Sequence, residues 1–256
     1  MIHHLNCGTF HPMLVGRMVA HCLLVERPEG LLLVDTGFGS EDIADSKRLG
    51  RAFKSVMRPL LDHSETAAAQ VVALGYDLAD VRDIVITHLD LDHVGGVGDF
   101  PDARVHVYET ELEAARNPRG MEHGRYLPVQ WQTATFVEHR AQGDDWLGFD
   151  SVSVLGGDDV LIVPLHGHSR GHAAVAVRED DGRWLLHAGD AYFHTGDLTT
   201  PQSCPRTLRI TQNVLGQDNP TRLDNQERLR HLAAEHGDQV RIFSSHDPSE
   251  LAAFLP

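Results

Sequence analysis

The feature that most constrains this chain is the run His88-Leu89-Asp90-Leu91-Asp92-His93, which follows directly on a short apolar strand predicted over Asp83–Thr87. Such a run, taken alone, could be a solvated polar loop with two incidental histidines. Three further residues of the same chemistry alter that reading: His172, Asp190 and His246 each fall at or near the C-terminal end of a predicted strand. Strand ends are where a rigid scaffold can aim several short side chains at one point. Imidazoles and carboxylates are the ligands that hold zinc, iron or manganese. The pattern therefore predicts a metal centre, and the Val94-Gly95-Gly96-Val97-Gly98 stretch after it permits close backbone approach.

Hydrophobic periodicity places the remaining elements. Val19–Val25 and Leu31–Val34 read as strands joined by a turn at Arg27-Pro28-Glu29-Gly30, and the second runs into Asp35-Thr36-Gly37. A helix is predicted over Ser46–Leu61 from Leu49, Ala52, Phe53, Val56, Met57, Leu60 and Leu61, and another over Thr66–Leu74, closed by Gly75. Further strands are predicted at Arg104–Tyr108, Val160–Leu165, Ala173–Val177, Trp184–His187 and Val240–Ser244. Helices are expected at Thr110–Arg116, Arg222–Glu235 and Ser249–Phe254, with an irregular stretch from Asn117 to Trp146. Hairpins followed by strand–helix units fit two mixed β-sheets covered by helices on their outer faces. No repeat or linker divides the chain, so one domain over residues 1–256 is expected.

Composition narrows the function. At 41% hydrophobic, 256 residues can bury a full core. A formal charge of -15 argues against a nucleic-acid binder, which presents a basic face to phosphates. Three scattered cysteines, Cys7, Cys22 and Cys204, read as reduced thiols. No signal peptide is visible and no apolar run approaches the roughly 20 residues that span a bilayer. A cytoplasmic protein without stable membrane insertion is the expectation.

The order Asp35-Thr36-Gly37, Thr87-His88-x-Asp90-x-Asp92-His93-x-Gly95-Gly96, Gly167-His168-Ser169-Arg170-Gly171-His172, Ala188-Gly189-Asp190 and Ser245-His246-Asp247 resembles the metallo-β-lactamase superfamily over almost the whole chain. The resemblance implies an αββα sandwich, an α/β fold with the metals in a cleft at one edge of the sheets. It implies two divalent metal ions. His88, Asp90 and His172 would hold the first, Asp92, His93 and His246 the second, and Asp190 would bridge both; His168 is expected to be structural. The family commonly has histidine where this chain has Asp90. Zinc is the family expectation, while a carboxylate there favours iron or manganese. Asp35 is either a turn residue or a carboxylate that orients a ligating histidine.

Two adjacent ions can lower the pKa of a shared water, and the resulting hydroxide would attack an ester, lactone, thioester or amide carbonyl. Asp92, Asp190 and Tyr192 are the catalytic candidates. Length and the Asn6-Cys7-Gly8-Thr9 opening look most like the lactonase branch, whose members open acyl-homoserine lactones or related rings and place a tyrosine three residues after the bridging aspartate. That position here is Phe193, so Tyr192 either serves instead after a small backbone shift or is a core or cleft-lining tyrosine. The rival readings are a diiron oxidoreductase of the same fold and a non-catalytic homologue. The partner is a small-molecule substrate. The Ser46–Leu61 helix carries Lys47, Arg48, Arg51, Lys54 and Arg58; its basic face could guide an anionic substrate or touch a membrane surface, and its apolar stripe packs on the sheet or on a second subunit in a homodimer.

Overall fold

The computed structural model describes residues 1–255. Strands β1 (Ile2–Phe10), β2 (Met18–Arg27), β3 (Gly30–Val34), β4 (Val81–Val85), β5 (Arg104–Tyr108) and β6 (Thr135–His139) form one sheet in that order. The second contains β7 (Asp144–Trp146), β8 (Phe149–Ser153), β9 (Val160–Pro164), β10 (Ala173–Arg178), β11 (Trp184–His187) and β12 (Val240–Phe243), again in sequence order. Both sheets are mixed: β1–β2–β3 are antiparallel and β3–β4–β5–β6 parallel, while in the second sheet only β11–β12 is parallel.

The central strands read as unbroken apolar runs because both of their faces are buried. In β10, Ala173, Val175 and Val177 point between the sheets, where they meet Leu32, Val34 and Val85, while Ala174 and Ala176 point the other way. The helices, in chain order, are α1 (Ser40–Ala44), α2 (Arg51–Met57), α3 (Ala67–Ala73), α4 (Glu109–Arg116), α5 (Pro128–Trp131), α6 (Arg206–Leu215), α7 (Asn219–Glu235) and α8 (Pro248–Ala252). Ala67 and Val71 of α3 and Leu112 of α4 cover the outer face of the first sheet; Leu229 and Leu232 of α7 cover that of the second. Helix, sheet, sheet, helix is the layering expected from the sequence.

One predicted element divides. The Ser46–Leu61 helix is a 3-10 turn over Ser46–Leu49 followed by α2, because Gly50 adopts φ +75, which no helix tolerates. Its stripe is only half used: Phe53 and Met57 pack against the core, while Val56 and Leu60 are 58% and 56% exposed. No helix among the described residues is long and apolar enough to cross a membrane. All three cysteines are free and buried.

Candidate metal centre

The end of β4 sets the geometry. Ile86 still donates its N–H to His106 O, but the next N–H, of Thr87, donates to Asp35 Oδ1 at 2.8 Å. A carboxylate thus ends the strand two residues earlier than the apolar pattern predicts and turns His88 out over the sheet edge. The same Asp35 accepts from Thr87 Oγ1 and from His93 Nδ1, both at 2.8 Å through Oδ2. Asp35 therefore orients a candidate ligand, and its backbone lies at φ +56. Ala173 N–H donates across to Thr87 O, and His21 N–H to Ser245 O, so the two sheets are tied where the site forms.

Two groups of potential ligand atoms converge there. His88, Asp90, His168 and Asp190 form one; Asp92, His93 and His246 form the other, with the atoms of each group within 4.8 Å of one another. Asp190 faces both. Its Oδ2 lies 3.8 Å from His88 Nε2 and 3.3 Å from His168 Nε2, and its Oδ1 lies 3.3 Å from His93 Nε2 and 3.1 Å from His246 Nε2. Asp92 Oδ2 is 3.7 Å from His246 Nε2.

The histidines are preset as donors of a lone pair. Thr87 Oγ1 gives its hydrogen to Asp35, so it accepts from His88 Nδ1; His93 donates Nδ1–H to Asp35, and His246 donates Nδ1–H to Val19 O. In each ring the inward nitrogen is then Nε2. His88 Nε2, His93 Nε2 and Asp190 Oδ1 are buried and make no hydrogen bond. A buried polar atom left unsatisfied costs about 1–3 kcal/mol. Several such atoms facing one another, nitrogen and carboxylate oxygen together, fit divalent cations as their common partner.

The electrostatics agree. Burial pushes the Asp190 carboxyl up, but His246, His93 and His168 overcome it and hold the group well below the usual carboxylate range. Burial lowers the His93 imidazole, and Asp190, Asp35 and Asp92 outweigh that to raise it well above its ordinary value. Both shifts express attraction between the imidazoles and the carboxylates, and a cation bound among them would compete with protons for the same atoms. His168, depressed to about 4 by burial and then by Arg125, is a neutral imidazole suited to ligation.

Two of the expected site residues, His172 and Tyr192, lie outside the two groups. His172 does not join either group: its Nδ1–H donates to Leu165 O, and its Nε2 accepts from the Asp190 N–H at 2.8 Å. His172 in this arrangement orients the Asp190 backbone, and His168 is the histidine of that motif whose ring enters the first group. Gly189, at φ +55, makes the approach possible, since a Cβ there would fall 2.5 Å from His172 Nε2. Tyr192 takes the position of a core residue. It is fully buried in the core behind the second sheet, and its hydroxyl donates to Glu250 Oε1 at 2.8 Å, away from the cluster. Phe193 lines the cleft instead, with its ring centroid 5.0 Å from that of His246.

Two residues of the centre left no signal in the sequence. Glu111 of α4, fully buried, accepts from Leu89 N–H through Oε1 and from Ser169 Oγ and Gly171 N–H through Oε2, bracing the two ligand loops against each other. Arg125 lies in the stretch expected to be irregular, and its Nε approaches Asp90 Oδ1 to 3.3 Å.

The cluster opens on a cavity of about 320 Å³. Asp90, Asp92, Arg125, His168, Asp190 and His246 form its polar floor; Phe53, Met57, Leu91, Phe193, Val214 and Leu215 form an apolar wall.

Comparison with known proteins gives a consistent relationship. The family model described as metallo-beta-lactamase superfamily matches residues 15–234. The chain is 44% identical over 252 residues to a probable metallo-hydrolase of Mycobacterium tuberculosis, covering 96% of this chain and 80% of that protein. It is 31% identical over 238 residues to the N-acyl homoserine lactonase AttM of Azorhizobium caulinodans, covering 90% and 82%. Among solved structures, an N-acyl homoserine lactone hydrolase with the product N-hexanoyl-L-homoserine at its catalytic metal center superposes with a TM-score of 0.76 at 20% identity, over 98% of this chain and 95% of that one, a likeness of fold.

Proposed function

We propose, from the premise that this chain belongs to the metallo-beta-lactamase superfamily and is a metal-dependent hydrolase, that its substrate is a small lactone or ester bearing an apolar tail. The observation that carries this reading is the apolar wall of Phe53, Met57, Leu91, Phe193, Val214 and Leu215 standing beside the ligand cluster in one cavity. Similarity to N-acyl homoserine lactonases supports it.

We assign His88, Asp90, His168 and Asp190 to a first divalent ion and Asp92, His93, His246 and the same Asp190 to a second. Ions so held would supply Lewis acidity, lowering the pKa of water and polarising a carbonyl. The protein does the rest. The apolar wall takes the tail and excludes water from it. Asp35, His172 and Glu111 fix the ligand loops. Asp92, which lines the cavity, is the group we assign to take the proton that the attacking water loses and to pass it to the leaving oxygen. Four imidazoles suit zinc, whereas the Asp90 oxygen adds a harder ligand that favours iron or manganese; elemental analysis of protein purified without chelators decides between them. We further propose a single domain working in the cytoplasm, supported by three free cysteines. A homodimer is supported by the exposed Met13, Leu14, Val56 and Leu60 and is checked by light scattering.

The test is turnover of hexanoyl- and decanoyl-homoserine lactone beside an unsubstituted lactone. Hydrolysis with KM falling as the tail lengthens is expected, and Asp190→Ala or His93→Ala should abolish it in folded protein. Absence of turnover on every lactone and ester, with activity on a phosphoester or β-lactam instead, would sink the substrate assignment.

A further inference from the structure

Arg125 is an unexpected neighbour for a site that fits cations. Its side chain is only 10% exposed, and among the described residues it is the one arginine or lysine paired with a carboxylate of the cluster. A guanidinium this close to two dications is repelled unless an anion stands between them. Asp90 is that anion. The two carboxylate oxygens have separate duties: Oδ1 faces Arg125 Nε at 3.3 Å, while Oδ2 faces inward, 3.1 Å from His168 Nε2 and 3.4 Å from His88 Nε2. Asp90 Oδ1 makes no hydrogen bond, so its pairing with Arg125 is that of two close opposite charges. The rest of the guanidinium is anchored to the backbone: one Nη donates to His168 O at 2.9 Å and the other to Leu215 O. One side chain thus holds the carboxylate of Asp90, the loop that carries His168 and the end of α6 in a fixed relation.

We propose that Arg125 is a positioning residue that fixes Asp90 as a one-oxygen ligand of the first ion and cancels the charge this carboxylate adds to the site. The inference rests on the metal assignment made above. It has a consequence that simple removal of a contact does not: Asp90→His alone leaves the guanidinium facing the ions with no anion between, Arg125→Met alone leaves the carboxylate unheld, and the two changes together should be tolerated, because a neutral imidazole needs no such partner and no cation is left to repel the ions. Arginine is suited to the task because its charge is permanent and its planar fork can serve a carboxylate and two carbonyls together.

The test compares wild type, Arg125→Met, Asp90→His and Asp90→His/Arg125→Met by zinc stoichiometry and by competition with a chromophoric chelator, with circular dichroism of the metal-free proteins as the folding control. Wild type is expected to take up two ions. Each single variant is expected to bind the first ion about 10–100-fold more weakly, the range for loss of a group that supports a ligand. The double variant should recover to within about threefold of wild type; that span is under 1 kcal/mol by the relation of affinity to free energy. Because the double variant has also lost the bonds to His168 O and Leu215 O, its recovery separates the charge from the scaffold. Arg125→Lys, which keeps the charge and gives up the fork, covers the case in which the methionine variant does not fold; it should retain both ions. Arg125→Met binding two ions with wild-type affinity, a double variant no better than Asp90→His, or a lysine variant that loses its first ion would each overturn the proposal while leaving the metal assignment standing. Wild-type protein that takes up no zinc would overturn both.

Discussion

Tyr192 and Phe193 show how much a single position decides on a strand exit. In the turn that follows β11 the two part ways: Tyr192 packs in the core behind the second sheet and Phe193 lines the cleft. The tyrosine hydroxyl is engaged by the Glu250 carboxylate, and the residue does not line the cleft. Tyr192→Phe should therefore leave kcat and KM within about twofold and cost roughly 1–3 kcal/mol of stability, the price of a buried hydrogen bond. Phe193→Leu should behave in the opposite way, raising KM for long-tailed substrates by about tenfold, equivalent to ~1.4 kcal/mol, with little change for an unsubstituted lactone. Steady-state kinetics and denaturant titration on the two variants check both. A Tyr192→Phe enzyme with a collapsed kcat would return the tyrosine to the cleft. Asp35 makes a similar case in one side chain. Asp35→Asn removes the anion that accepts from His93 and Thr87, and should weaken metal binding about 10–100-fold without touching a metal itself.

At the scale of elements, α8 is the clasp that holds the last ligand loop. Its Glu250 accepts from Ser244 N–H and Ser244 Oγ, two residues before His246, and from Tyr192. Burial pushes the Glu250 carboxyl up to about 7, against the three donors that favour its anion. A carboxyl raised in the folded state binds its proton more tightly there than in the unfolded chain. Its contribution is therefore fully present below about pH 4.5 and is lost as pH rises to about 7. Thermal melts of Glu250→Gln should lack that component, giving a flatter pH dependence than wild type between those limits; parallel profiles would refute it. The elements that carry these groups were unevenly legible. β3, β9, β10 and β11 were plain in the sequence because both of their faces are buried and their apolar runs are unbroken. β1, β6, β7, β8 and α6 were not. β1 breaks its apolar positions with the adjacent His3 and His4 and with Asn6, β6 and β7 are edge strands with exposed polar positions, and α6 carries exposed Ile210 and Val214 beside its arginines. The site was read from ligand chemistry at strand ends, which located six of the expected seven candidate ligands in the two groups. Which of His168 and His172 turns its ring into a group was not legible, since that depends on whether a ring nitrogen meets a backbone N–H eighteen residues away.

Across the whole molecule, the site is a seam. His88, Asp90, Asp92 and His93 extend from the first sheet, after β4; His168, Asp190 and His246 extend from the second, after β9, β11 and β12. Ions bound there would cross-link the ends of two sheets that otherwise adhere through Leu32, Val34, Val85, Val175, Phe243 and their neighbours. The metal-free protein should still fold, because that core and the Ala173–Thr87 and His21–Ser245 backbone bonds need no metal. It should, however, be less stable. A ligand that binds only the folded state adds RT ln(1 + [L]/Kd), about 4 kcal/mol at a thousandfold excess over Kd. For a chain near this size each kcal/mol moves Tm by roughly 2–4 °C, so chelation should lower Tm by about 8–16 °C. Readdition of zinc should restore it in proportion to the logarithm of free metal. Asp190→Ala is the control, because Asp190 faces both groups; its melt should be insensitive to chelator and start from the lower value. A wild-type Tm unmoved by chelator, in protein shown to contain metal beforehand, would mean that the ions lie elsewhere and that the seam is closed by protein contacts alone.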